Sequence, residues 1–383
     1  MPVPSAPRPL DGVVVVDFST LLPGPLASLM LAEAGARVIK IERPGGEDMR
    51  RHGPMMGEGE AAVSAWWGML NRGKEVVTID LKAPDAFDRL APLLARADVV
   101  IEQFRPGVME RLGFGYERLA ALNPRLVHCS ISGFGQSGPL APLAGHDLDY
   151  QAVTGSLSIG RNAPGEPQMP GLLAADIAGG SFPAVINILL ALLLREKTGR
   201  GTTIDVAMTD AMFTFSFFAQ AQGAVEGRFP APGEPVFVGS LPRYSLYRTG
   251  DDRLLAVGAL EEKFWQAFCD LIDLPKALRR DHATPAETRA AVAAAVAART
   301  HAEWGAVLAG TDFCVMPVAS LSEALADPHF VARGLFDRRV DLGAGREIPA
   351  CVVPIAPGFR DPAPVVAAPG EGDLAAILAD LGA

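Results

Sequence analysis

With 383 residues, 49% hydrophobic and 20% charged, the chain can bury cores for two domains and carries too few charges for a disordered polymer. A net charge of −10 at pH 7 argues against general binding to nucleic acid or to an anionic membrane. An anionic ligand would therefore need a local cluster of Arg and Lys.

In chain order, Met1–Pro9 is a proline-rich arm without the apolar centre of a signal peptide. Val13-Val-Val-Val-Asp17 is the continuous apolar run of a strand buried on both faces. A Pro-Gly-Pro turn at Pro23–Pro25 leads into a helix over Leu26–Ala34, stopped by Gly35. Strands follow at Arg37–Glu42, Val76–Asp80, Asp98–Glu102 and Leu126–Ile131, with a helix over Asp85–Ala97 and another before Leu126. Strands alternating with helices at this spacing predict an α/β fold with a parallel, doubly wound sheet. Phe182–Leu194 is the longest apolar stretch, shorter than the roughly 20 residues that cross a bilayer, and reads as a core helix. A short strand at Thr202–Ala207 and a helix over Ala211–Val225 come next, then a Gly/Pro-rich connector, Gly227–Gly239. A smaller α+β region follows, with a strand at Leu254–Gly258 and helices near Glu262–Ile272, Ala286–Ala298 and His301–Gly310. The expected division is a large domain of 1–222 and 332–383 and a small one of 223–331. The four cysteines (Cys129, Cys269, Cys314, Cys351) are scattered, which suits reduced, buried thiols and no metal site.

The loops after the strands carry Arg43, Arg72 with Lys74, Lys82, Arg105 and Arg111. Because a doubly wound sheet binds ligands at its strand ends, recurring cations there point to a phosphate-bearing ligand. Gly133-Phe-Gly-Gln-Ser-Gly138 matches a dinucleotide fingerprint by letter only, since it runs into Pro139 and Pro142 instead of opening a helix. Two acid–base groups stand out. His146 lies in Gly145-His-Asp-Leu-Asp-Tyr150, at a helix start by pattern, and Asp176 lies in the apolar Leu172–Gly180 segment. Taken alone, Asp176 also suits the N-cap of the helix after it. A third acid, Glu261, ends Ala256–Glu261 in the small region.

These residues and motifs together resemble the family III CoA-transferases (CaiB/BaiF) and, within them, the α-methylacyl-CoA racemases. The resemblance rests on Leu10-Asp-Gly12 with Pro23-Gly-Pro25, Ile39–Pro44, Asn71-Arg-Gly-Lys74 with Ile79-Asp-Leu-Lys82, Phe104–Gly113, Gly133–Pro139, Asp210-Ala211 and Asp327-Pro-His329. It implies a Rossmann-like large domain with a smaller α+β domain, an interlocked homodimer, an acyl-CoA thioester as substrate, and a cytoplasmic enzyme. No cofactor is expected beyond the substrate's own coenzyme A. By matched position that coenzyme would be held by Arg43, by Ile79, Asp80, Leu81 and Lys82, by Gln103, Phe104 and Arg105, by Arg111, and by Gly145, Asp147, Leu148, Asp149 and Tyr150. The resemblance makes His146 and Asp176 a pair of proton-transfer groups that invert an α-carbon through an enolate, with Glu261 assisting His146. The transferase alternative would use Asp176 as the acyl-accepting nucleophile. Leu260-Glu-Glu-Lys263 and Ser240–Ser245 depart from the racemase pattern, which bears on the shape of the acyl group.

Overall fold

A computed structural model describes residues 7–59, 62–160 and 169–382; the first six residues of the proline-rich arm lie outside them. Contacts divide the chain into two compact units. The first comprises Met1–Thr154, Leu172–Thr214 and His329–Ala383, and the second Gly155–Gly171 and Phe215–Pro328. Against the expected division into 1–222 with 332–383 and 223–331, the second unit begins at Phe215 and ends at Pro328, and it also takes Gly155–Gly171. Gly155–Gly171 leaves the large unit, although nothing in its composition marks it.

The first unit is built on six strands: β1 Val14–Asp17, β2 Arg37–Glu42, β3 Glu75–Thr78, β4 Val99–Glu102, β5 Val127–Ser132 and β6 Thr202–Ala207. All neighbours are parallel, in the order β3-β2-β1-β4-β5-β6. This is the doubly wound order, with its topological switch between β1 and β4. Alternate side chains feed two cores. Val15, Val99 and Ile101 pack with helix α1 (Pro23–Glu33) on one face. Val14, Val16 and Val100 pack with Leu90, Leu93 and Phe114 on the other. The near-continuous valine and isoleucine of β1 and β4 is what burial on both faces requires. Three further strands, Arg339–Asp341, Glu347–Pro349 and Val365–Ala367, form a small sheet of their own.

The apolar stretch at Phe182–Leu194 is longer in the structure than in the sequence pattern. A π-helical turn, Ala175–Ser181, runs directly into helix α2, Phe182–Thr198. The joined helix has 24 residues and is long and apolar enough to cross a membrane by length and composition alone. One face, with Ala184, Val185, Ile188, Ala191 and Leu192, is in the core. The opposite face presents Ile186, Leu189, Leu190, Leu193 and Leu194 to the surroundings, at the i, i+3, i+4, i+7 spacing of a helix stripe.

In the second unit, an antiparallel sheet of Tyr244–Arg248, Leu254–Gly258 and Val315–Pro317 covers a core of Trp265, Phe268, Val292, Val296 and Trp304. The single helix expected over Ala211–Val225 is two helices, Met208–Phe215 and Phe217–Glu226, separated at Ser216.

The π-turn owes its place to Gly179 and Gly180, which let it lie on the start of the helix after β6. A Cβ on Gly179 would meet the Met208 carbonyl oxygen at 2.5 Å, and one on Gly180 would meet Pro23 Cβ at 3.1 Å. Backbone cannot yield as a side-chain tip can. Gly179→Ala should therefore destabilise the protein by about 1–3 kcal/mol, read as a lower urea midpoint at unchanged slope.

Candidate active site at the switch point

The loop from β1 to α1 lies beside the switch point, and buried groups hold it at Ser19 and Leu21 and hold the helix start at Gly24 and Pro25. Asp17 Oδ1 accepts from the Ser19 amide at 2.8 Å and from the Ser19 hydroxyl, and Oδ2 from Ser28 Oγ at 2.5 Å. Lys40 Nζ donates to the Ser19 carbonyl at 2.6 Å and pairs with Glu47 at 3.1 Å. Glu47 in turn accepts the Leu21 amide at 2.7 Å, and Leu21 has a φ of 62°, a conformation costly for a side chain with Cβ. Lys74 Nζ donates to the Pro25 carbonyl at 2.9 Å and to Asn71 Oδ1 at 2.8 Å, and lies 3.4 Å from Asp17 Oδ2. Just past β4, Gln103 Oε1 accepts the Gly24 amide at 2.9 Å. Burial alone would push the Asp17 carboxyl up, but Lys40, Lys74 and the two serine hydroxyls bring it below its ordinary value. Burial pushes Lys74 down to about 7 against the pull of Asp17.

Arg72 and Lys74, which the sequence groups with ligand-facing cations, are thus structural. Lys74 is fully enclosed, and Arg72 Nη2 pairs with Glu33 at 2.9 Å and donates to the Cys351 carbonyl at 2.8 Å. The other loop cations remain at the surface. Arg43 follows β2, with its guanidinium on Asp48 Oδ1 (2.6 Å) and the Gly46 carbonyl (3.0 Å). Lys82, Arg105 and Arg111 are exposed and form no ion pair among the described residues. Because the sheet is parallel, Arg43, the Ile79–Lys82 segment and the Gln103–Arg105 segment all leave it at one edge. Ile79 is buried, Asp80 accepts the Lys82 amide at 2.9 Å, and the Phe104 amide binds Glu102 at 2.7 Å. Burial raises Glu102 to about 7 despite its Ser130 and Phe104 hydrogen bonds.

Gly133–Gly138 is a loop after β5, as its prolines predict. It supports the next turn through Tyr150, whose ring fills the space where Gly133 and Gly145 would carry a Cβ, at 2.4 and 2.6 Å. The Tyr150 hydroxyl donates to the Gly145 carbonyl at 2.5 Å, and Phe134 meets the ring edge-on at 5.3 Å. Asp149 accepts the His146 amide at 2.9 Å. The turn therefore holds His146 at the N-cap of helix α3, Asp147–Val153, with its side chain exposed. Arg105 lies close enough to Tyr150 to act on its hydroxyl electrostatically.

Asp176 is the second residue of the π-turn, so it does not cap the helix. Asp147 does that from 28 residues upstream. Its buried Oδ1 accepts the Ala175 amide at 2.7 Å and the Asp176 amide at 3.0 Å, while Oδ2 accepts Gln151 Nε2 at 2.6 Å. Nothing in the sequence pairs these positions. Partial burial, then the Asp147 charge, raise the Asp176 carboxyl to about 6, and His146 acts on it in the opposite sense. The first unit thereby brings together His146, Asp147, Tyr150 and Asp176. Glu261 belongs to the second unit, at the N-cap of the helix Glu262–Leu271. There Arg243, paired with Asp281 at 2.7 Å, donates to the Leu260 carbonyl at 3.3 Å. A cavity of about 380 Å³ between Arg50, Trp67, Leu342 and Ala367–Gly370 contains none of these residues.

The model of the CoA-transferase family III matches residues 10–373. The chain belongs to that family. It is 38% identical over 335 residues to the human alpha-methylacyl-CoA racemase, covering 85% of this chain and 82% of that one. It is also 34% identical over 376 residues to the acetyl-CoA:oxalate CoA-transferase of Acetobacter aceti, covering 94% and 92%. The crystal structure of a CAIB/BAIF family protein from Brucella suis superposes with a TM-score of 0.83 at 29% identity, over 98% of this chain and all of that one. Family membership makes the protein an enzyme of the CoA-transferase and racemase group, and both activities occur among relatives of similar identity.

The charge network generates a prediction for this family member. Asp17→Asn would leave two enclosed ammonium groups facing one carboxylate, and should cost about 3–5 kcal/mol of stability. The folded protein holds Asp17 below its ordinary value of 3.8, so this stabilisation is present above that pH and is lost as pH falls. The gap in thermal stability between wild type and variant should accordingly narrow below pH 4.

Proposed function

We propose that the protein is an α-methylacyl-CoA racemase or epimerase. The observation that carries this reading is the pairing, in one unit, of an exposed imidazole at His146 with a half-buried carboxyl at Asp176 raised to about 6. Inverting an α-carbon needs a base on one face and an acid on the other. In one direction the Asp176 carboxylate takes the α-proton, and the C–H electron pair moves into the thioester carbonyl to give the enolate. The protonated imidazole of His146 then returns a proton to the opposite face, and the roles reverse for the other epimer. A carboxyl near 6 is a stronger base than an ordinary aspartate and is still largely ionised at pH 7. Glu261 assists His146, as the racemase pattern implies. The coenzyme A moiety is held at the edge where Arg43, Ile79–Lys82, Gln103–Arg105 and Arg111 emerge. Its phosphates supply the negative charge that Lys82, Arg105 and Arg111 suit.

A second reading has support from the Acetobacter relative. In it, Asp176 attacks the thioester carbonyl, forming an acyl–carboxylate anhydride and releasing coenzyme A as thiolate. The two readings separate cleanly. Incubating a 2-methylacyl-CoA with the enzyme in deuterium oxide should place deuterium at the α-carbon with no acceptor acid present. His146→Ala and Asp176→Asn should each lower racemisation by about 100-fold or more. For the epimer whose α-proton faces Asp176, kcat/KM should fall as pH drops below about 6, because the base is then protonated. Hydroxylamine trapping of Asp176 as a hydroxamate, without α-exchange, would sink the racemase reading in favour of transfer.

We also infer that the protein works as a homodimer, in keeping with the apolar stripe Ile186, Leu190, Leu193 and Leu194 on α2, each more than half exposed. A stripe of this length on a helix calls for a partner surface. Sedimentation at decreasing concentration should show a dimer throughout; a folded monomer would contradict the interlocked arrangement.

A further inference from the structure

We infer that Asp147 is a positioning residue for the reaction and not a ligand of the coenzyme: its carboxylate ties the start of the Asp176 helix to the His146 turn and sets the field in which Asp176 works. This rests on the reading of Asp176 as the reacting carboxyl. Asp147 is 5% exposed as a residue, and its two carboxylate oxygens are committed to three donors: the amides of Ala175 and Asp176, and the side chain of Gln151. A group so enclosed presents little of itself to a phosphate or pantetheine chain. What it faces is the first exposed amides of a helix, which otherwise lack acceptors. Ala174, at the helix's own N-cap, supplies no side-chain acceptor.

The consequences are geometric and electrostatic. Two hydrogen bonds to successive amides fix the peptide from which the Asp176 side chain springs. The same carboxylate belongs to the residue immediately after His146, so one group spans both reacting side chains. Its negative charge disfavours a second one on Asp176, in the same direction as burial. Gln151, one turn along α3, keeps the Asp147 carboxylate from rotating away. The other ionisable groups on the elements packed here are few. His146, Asp149 and Tyr150 lie on the turn and helix α3, Asp149 engaged by the His146 amide at 2.9 Å, with Arg105 beyond Tyr150. Asp205 on β6 is engaged by the Gln136 amide at 2.9 Å, Asp210 lies on the helix that follows β6, and the first turn of α1 carries no acidic residue.

The test uses the whole protein. Asp147→Asn keeps the size and one acceptor oxygen, and Gln151 can turn its amide oxygen toward the new NH₂. Titrating the Asp176 carboxyl by ¹³C NMR, with its resonance assigned by its loss in Asp176→Asn, should give a midpoint near 6 in wild type. It should lie lower by about one pH unit in Asp147→Asn. The acid limb of α-proton exchange should move by the same amount, with kcat reduced about tenfold and KM for the thioester unchanged. A folded variant with an unmoved Asp176 titration overturns the proposal, as does a large rise in KM with an unmoved limb, which would make Asp147 a coenzyme ligand. If Asp147→Asn does not fold, amide exchange in wild type decides. Ala175 and Asp176 amides should be protected like those of the sheet, and exchange at open-loop rates would overturn the tie. A moved titration with neither exchange nor trapping overturns the catalytic reading of Asp176, and the positioning role with it, while leaving the coupling between the two carboxyls measured.

Discussion

A carboxylate at the carboxyl end of the first strand, sealed from water, is the constraint on which the rest of the large unit depends. Asp17 is fully buried, and an unpaired charge there would cost several kcal/mol. The chain answers with Lys40 from the second strand and Lys74 from just before the third, and then needs Glu47 to balance the second ammonium. None of these charges is left to face a ligand. Their remaining hydrogen-bonding capacity goes to the backbone of Ser19–Pro25 instead, which is how a leucine comes to sit at positive φ without glycine's freedom. The loop passes its rigidity on: Ser181 Oγ donates to the Pro23 carbonyl at 2.8 Å, so the charge network and the helix bearing Asp176 share a support.

The His146 turn is fixed by different means. Here a single aromatic ring occupies the volume that two glycines vacate, and its hydroxyl closes the turn on itself. His146 and Asp176 thus stand on separately braced pieces of backbone, joined by Asp147. Such a division suits the two-group proton transfer proposed above, in which both side chains would keep their distance from one carbon.

Much of this architecture is legible in the sequence because it follows from periodicity. The apolar runs at Val13–Asp17, Asp98–Glu102 and Leu126–Ile131 can be little else than doubly buried strands, and proline after Gly138 disqualifies the fingerprint at Gly133. His146 and Asp176 are legible as unusual settings for acid–base groups. What is hidden are pairings between distant positions. Arg72 and Lys74 look like loop cations until the fold surrounds them with Glu33 and Asp17. Asp176 looks like a cap until Asp147 supplies the cap from elsewhere. The break at Ser216 and the reassignment of Gly155–Gly171 leave no local signal either, since both depend on which unit each segment packs into. Periodicity locates strands, but it does not say which buried charges will find each other.

The π-turn has a consequence for how this site could change over time. A π-turn holds one residue more than the α-turn it interrupts, and each residue of a helix turns the chain by about 100°. Loss of a single residue between Asp176 and Phe182 would let the segment relax into a regular helix continuous with Phe182–Thr198. The core-facing pattern of Ala184, Ile188 and Ala191 would hold its place, and the rotation would fall on Asp176, swinging it away from His146. A one-residue deletion that barely touches the hydrophobic core would thus be enough to separate Asp176 from His146. The reverse insertion, into a regular helix bearing an aspartate one step out of register, is a short route by which such a site could arise.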